Sequence, residues 1–152
     1  MKIYFAHSVS EYGTEFEAAV VKALKSDWLE VENPNAPHHQ EGYRQHGMAY
    51  FEGVIAQCDA LAYLRFPDGA IGAGVAKEIA SAANDGRPVF EVRVHEGAIH
   101  ICASAPKPGP VLTVEQTRLK LGRAVAPVDA DAQLGASLAN HLAETHRLKA
   151  SK

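Results

Sequence analysis

The run Ala60-Leu61-Ala62-Tyr63-Leu64 has no polar face to turn toward water, so a strand built from it must be covered on both sides. That places it inside a layered sheet. The segments around it repeat the demand for about the first 93 residues. Ile3 to Ala6 is a short apolar run led by β-formers, and it opens onto the polar turn His7-Ser8-Val9-Ser10. From Thr14 onward Phe16, Val20, Val21 and Leu24 recur at helical spacing, with Glu15 and Glu17 suited to a helix N-terminus. Trp28 to Glu32 alternates like a strand and stops at Asn33-Pro34. Met48, Phe51, Val54 and Ile55 mark one side of a helix from Met48 to Gln57. A third helix is predicted from Val75 to Asn84, stopping at Asp85-Gly86, and a fourth strand from Pro88 to Val92. Strands separated by helices imply right-handed crossovers, an α/β fold and a mainly parallel sheet with helices on both faces.

Beyond Val94 the pattern changes. Val92 to Ile101, with Glu96-Gly97 at its middle, reads as a hairpin or as a strand followed by a separate edge strand. Ala105 to Pro110 holds three prolines and reads as a loop. Thr113-Val114-Glu115-Gln116 has the capping-box pattern and predicts a helix to about Arg123, and a last helix is expected from about Ala130 to Leu148. No internal repeat breaks the chain, and 152 residues fit one domain, 1–152.

Composition excludes some roles. Fifteen Lys and Arg against 18 Asp and Glu give a net charge of −3, which does not suit a binder of nucleic-acid polymers. No apolar stretch approaches the ~18 residues needed to span a bilayer, and the apolar start is too short for a signal peptide. Cys58 and Cys102 have no metal-type spacing and read as two reduced, buried thiols of a cytoplasmic protein.

Ligands of open parallel sheets bind beyond the carboxyl ends of the strands. There the topology gathers the turn His7 to Ser10, the polar stretch Asn35 to Gly47, read as a long loop, and the turn Phe66 to Gly74. Gly69, Gly72 and Gly74 leave backbone uncovered at a helix entrance, which would offer free N–H groups to a polar or anionic ligand. Glu78 stands one turn into that helix, on the face of Gly74, and the positive helix end would favour its ionised form. The plainer alternative is a solvated glutamate paired with Lys77 or Arg87.

Several of these stretches together resemble the nucleoside 2-deoxyribosyltransferase family and its deoxynucleoside 5′-monophosphate N-hydrolase relatives. They are Ile3-Tyr4-Phe5-Ala6, Asp59 to Leu64, Phe66-Pro67-Asp68-Gly69, Gly72-Ala73-Gly74-Val75-Ala76-Lys77-Glu78 and Gly86-Arg87-Pro88-Val89. The resemblance covers Met1 to Val92 and leaves the C-terminal third unmatched. It implies a flavodoxin-like, Rossmann-like doubly wound sheet, with Glu78 as nucleophile and Tyr4 orienting it. In the hydrolase branch the turn after strand one holds the 5′ end of the nucleotide, which maps to His7 and Ser8 and, with Arg44, leans toward a phosphorylated substrate. A carboxylate that displaces the base at C1′ leaves a covalent deoxyribosyl-enzyme, resolved by water or by another base. The resemblance implies no cofactor, and it implies a homo-oligomer whose subunits complete one another's pockets.

The chain departs from the family at the second acid, where counting back eight residues from Asp59 reaches Phe51. Glu52 is adjacent but about 100° around a regular helix, and Asp68 is a loop substitute; the loop histidines are a further source of a proton. Loss of turnover, leaving a nucleotide-binding or sensing module, is the alternative from another class. Asp59 itself reads as a capping residue at the strand entrance. The stretch His38 to His46 reads as a lid, with Tyr43 stacking on a base and Arg44 or His39 meeting a phosphate. Met48, Tyr50 and Phe51 are candidates for the base pocket. No metal is expected, because adjacent histidines rarely share an ion and no carboxylate stands at helical spacing to complete a set.

Overall fold

A computed structural model describes residues 1–27, 30–104 and 109–122. The predicted helix 130–148 and most of the loop 105–110 lie outside the described residues. Five strands, β1 (Lys2–Ala6), β2 (Glu30–Glu32), β3 (Ala60–Leu64), β4 (Val89–His95) and β5 (Ala98–Ala103), form one sheet in the order β2-β1-β3-β4-β5. The first four are parallel, as the crossovers required, and β5 returns antiparallel. The chain is therefore an α/β fold with a mostly parallel sheet. The region 92–101 is a hairpin. Its two-residue turn is Glu96-Gly97, with φ of 51° and 78°, the left-handed pair that joins tightly twisted strands.

Alternation along the strands sorts the core into two layers. Ile3, Phe5, Ala60, Ala62 and Val92 face α1 (Glu15–Asp27), which packs on them through Val20 and Leu24. Tyr4, Ala6, Leu61 and Tyr63 point the other way. They meet Phe51 and Ile55 of α3 (Met48–Ile55) and Val75 and Ala82 of α4 (Ala73–Asn84). Burial of β3 on both faces follows directly, with Ala60 to Tyr63 fully enclosed. Asp59 accepts the Lys2 N–H at 2.7 Å, fastening the entrance of β3 to that of β1 at the end of the sheet opposite the candidate site.

The stretch read as one long loop is instead a 3-10 turn, Pro37–His39, running into a helix α2 (Gln40–His46). Its sequence, QEGYRQH, has almost no apolar periodicity to reveal it. Pro37 starts the turn, Glu41 pairs with Arg44 one turn on, and Gly47, at φ 60° and ψ −144°, ends the helix. α2 lies so close to α3 that a Cβ on Gly42 would fall 2.2 Å from the Tyr50 ring. Gly42→Ala is therefore expected to displace Tyr50 and to destabilise the fold by about 1–3 kcal/mol, the range for overpacking. Thermal or urea unfolding measures this. Gly53→Ala, where an added Cβ meets nothing, is the matched control.

The C-terminal part returns to the sheet's carboxyl end. The Ile71 N–H donates to Pro110 O at 2.9 Å and the Leu112 N–H to Ile71 O at 2.8 Å. α5 (Val114–Gly122) then packs Leu121 against Phe66 and Ala70. Its predicted capping box forms, with Thr113 Oγ1 accepting the Gln116 N–H and Gln116 Oε1 accepting the Thr113 N–H. Cys58 and Cys102 are free thiols; Cys58 is buried, whereas Cys102, on the outer strand β5, is only half-buried. Among the described residues no helix is long and apolar enough to cross a membrane.

Candidate functional site

The strand order reverses at β1 and β3, and the turns leaving their carboxyl ends diverge there, opening a crevice between them. A cavity of about 30 Å³ occupies this point. His7, Ser8 and Tyr12 line it from the β1 side, Phe66, Gly72, Gly74, Val75 and Glu78 from the β3 side, Met48 and Phe51 from α3, and Thr117 and Leu121 from α5.

Glu78 is buried and accepts a hydrogen bond from the Tyr4 hydroxyl at 2.7 Å. Neither cation that a solvated glutamate would have used is involved. Lys77 faces Glu52 at 4.0 Å, and Arg87 reaches Asp85 and the carbonyls of Ala56 and Cys58. The expected ionisation by the helix end is corrected, however. Burial pushes the Glu78 carboxyl up to about 8, and the single bond from Tyr4 only partly opposes it. Burial, then the Glu78 charge, holds Tyr4 well above its ordinary value, so Tyr4 stays a phenol and donates.

The glycine-lined helix entrance is less open than its sequence suggested. The Ala73 N–H is taken by Thr117 Oγ1 at 2.9 Å, and a Cβ on Gly72 would lie 3.3 Å from the Phe66 ring and 3.4 Å from the Thr117 methyl. Gly72 is thus needed for the close approach of α5 rather than to bare an amide. Gly74 and Val75, from the same first turn, do line the cavity.

His7 lines the cavity, but both of its ring nitrogens are engaged: Nδ1 with Phe5 O at 2.9 Å and Nε2 with Glu17 Oε1 at 3.0 Å. Glu17 also accepts from the Gly13 N–H and from the Asn33 and Asn35 amides. These donors outweigh burial and draw its carboxyl down to about 2. Ser8 caps the turn after β1, its hydroxyl accepting from the Ser10 N–H and hydroxyl.

The other candidates stand apart from the cavity. Tyr43 packs behind Phe51, ring centroids 5.2 Å apart, and Tyr50 packs on another edge of the same ring at 5.3 Å. Arg44 is exposed and paired with Glu41. His39 is buried between Glu32 Oε1 at 2.7 Å and the Tyr50 hydroxyl at 2.9 Å. Glu52 is exposed, and Asp68 is tied to Lys120 and the Ala70 N–H. Neither carboxyl lines the cavity, whereas Phe51 does, with its ring 6.1 Å from that of Tyr4. Tyr12, Thr117 and Leu121 were not singled out from sequence. Thr117 reaches the site across 44 positions of chain, a contact with no local signature.

Comparison of the chain with family models, with curated proteins and with solved structures finds no match.

Proposed function

We propose that this chain cleaves, and by exchange can transfer, the N-glycosidic bond of 2′-deoxynucleosides, with the nucleoside 2-deoxyribosyltransferase arrangement on a flavodoxin-like sheet. The observation that carries this is the Tyr4–Glu78 pair, 2.7 Å apart, at the strand-order reversal beside Gly72 and Gly74. Glu78 in its ionised form attacks C1′ as the C1′–N bond breaks, and the base leaves with the bonding pair and takes a proton from water. Water or a second base, giving up its own proton, then displaces Glu78 from C1′ with net retention. Tyr4, held as a phenol, orients the attacking oxygen. No cofactor enters the scheme. The assembly is a homo-oligomer, as the resemblance implies.

Among the described residues no lysine or arginine lines the cavity, and His7 and Ser8 are engaged within the protein. This favours an uncharged nucleoside over its 5′-monophosphate, because a phosphate needs donors with charge to spare. The cavity is small, about 30 Å³, and is walled by Met48 of α3 and Leu121 of α5.

The test is incubation of the purified chain with deoxynucleosides and deoxynucleotides, following free base by chromatography. Base is expected to accumulate, to rise with pH as the Glu78 carboxylate forms up to about 8, and to vanish in Glu78→Ala. Phe51 in the second acid's place favours a second reading, a binding or sensing module of the same fold. Ligand retention without base release selects that reading and rejects the first.

A further inference from the structure

The sequence places His38 and His39 side by side, and the nearby Glu41 is paired with Arg44; the fold supplies a carboxylate from another element. β2 ends at Glu32, and the 3-10 turn Pro37–His39 folds back over it. Nε2 of His39 lies 2.7 Å and Nε2 of His38 3.2 Å from the same oxygen, Oε1 of Glu32, and the three potential ligand atoms all lie within 4.8 Å of one another. The usual obstacle to adjacent histidines sharing an ion is divergence of their rings. The 3-10 turn removes it, setting the ring centroids 4.0 Å apart with both Nε2 atoms converging.

We propose that Glu32, His38 and His39 form a binding site for a divalent transition-metal ion, with Zn²⁺ the best chemical match. Two imidazoles and one carboxylate are a donor set that zinc accepts, with water completing four-coordination. Bonds of about 2.0 Å give a tetrahedral edge of roughly 3.3 Å, so the His38 spacing already fits and the His39 spacing must open by about half an ångström. The groups behind the ligands are also those a metal site uses. Nδ1 of His39 meets the Tyr50 hydroxyl at 2.9 Å, fixing the ring. Oε2 of Glu32 is held by Lys2 Nζ at 3.0 Å; Lys2 also reaches Glu30 at 3.3 Å and so retains a partner when the ion's charge arrives. The His38 side chain is 66% exposed, which provides the path of entry. The ion would fasten the start of α2 to the edge of the sheet. Through His39, whose ring abuts Phe51 at 5.7 Å, it would also stiffen one wall of the cavity.

The experiment is calorimetric titration of the tag-free full chain with ZnSO₄, repeated with Co²⁺ and read by visible absorption. Saturable binding of a single ion and low-coordinate Co²⁺ bands are expected. His38→Ala, an exposed change that leaves the core untouched, is expected to weaken affinity by about tenfold or more, the scale of losing a group that a metal site relies on. His46→Ala, exposed on the same helix pair, is expected to change nothing. Absence of saturable binding, or binding equally tight in His38→Ala, overturns the site. Because the readout is metal uptake, the result is independent of whether base is released.

Discussion

Glu78→Gln is expected to abolish base release and, in the same protein, to make the fold more stable at alkaline pH. The two effects share one cause. A carboxyl that titrates near 8 in the fold and near 4.5 when unfolded keeps its proton preferentially in the folded state. Between those values the folded chain binds more protons than the unfolded one, so stability falls as pH rises. At about 1.4 kcal/mol for each factor of ten, the loss reaches about 5 kcal/mol once both states are ionised. Glutamine keeps an oxygen for Tyr4 and never ionises. The variant is therefore expected to match wild type near pH 4, to exceed it progressively through neutral pH, and to hold an advantage of about 5 kcal/mol above pH 8. Urea unfolding at several pH values measures it, and parallel curves for the two proteins would refute the buried, raised carboxyl. Such a penalty is large beside a typical total of about 5–15 kcal/mol, and a residue without a task would not be expected to carry it. A stabilised but inactive variant is the pattern that a strained functional site predicts.

How much of this was legible without coordinates follows from where each interaction reaches. Ala60 to Leu64 declared itself because burial on both faces leaves no polar position, and the order of strands and helices then required parallel pairing. Glu78 was legible from its spacing behind Gly72 and Gly74. Its protonation was not, since that depends on the apolar residues that fold over it from α3 and α4. α2 escaped because its stability comes from the Gly42–Tyr50 approach and the ends set by Pro37 and Gly47, not from an apolar stripe. The side chains of Tyr43 and Arg44 follow from the helix: Tyr43 turns inward onto Phe51 and Arg44 outward to Glu41. The contact of Thr117 with Ala73, like that of Glu32 with His39, joins residues distant in sequence and belongs to the tertiary fold alone.

At the acid end the dependence reverses, and Glu17 governs it together with Glu91. Glu17 carries the donors of His7, Gly13, Asn33 and Asn35, while Glu91 is held by Arg65 at 2.8 Å, by Arg93 at 3.1 Å and by the Tyr63 hydroxyl at 3.1 Å. Both side chains are almost fully enclosed, 7% and 5% exposed, and both titrate at about 2 against an ordinary 4.5. Lowered carboxyls stabilise the fold above 4.5 and lose that contribution as pH falls through 2, about 3 kcal/mol for each. His39, lowered mainly by burial, works the same way toward neutrality, since the unfolded chain takes up its proton first, and so offsets part of the Glu78 loss. Stability should therefore climb steeply from pH 2 to about 4.5 and then decline more gently. Glu17→Ala removes the carboxylate shared by His7, the Gly13 N–H and the Asn33 and Asn35 amides, and is expected to cost about 3–5 kcal/mol at pH 5, lowering Tm by on the order of 10 °C for a chain of this size. Its loss should also flatten the acid limb by the Glu17 share, whereas exposed Glu15→Ala, two positions earlier on α1, should stay within about 0.5 kcal/mol. An acid limb as steep in Glu17→Ala as in wild type would show that the network at the β1 turn does not hold this carboxylate charged.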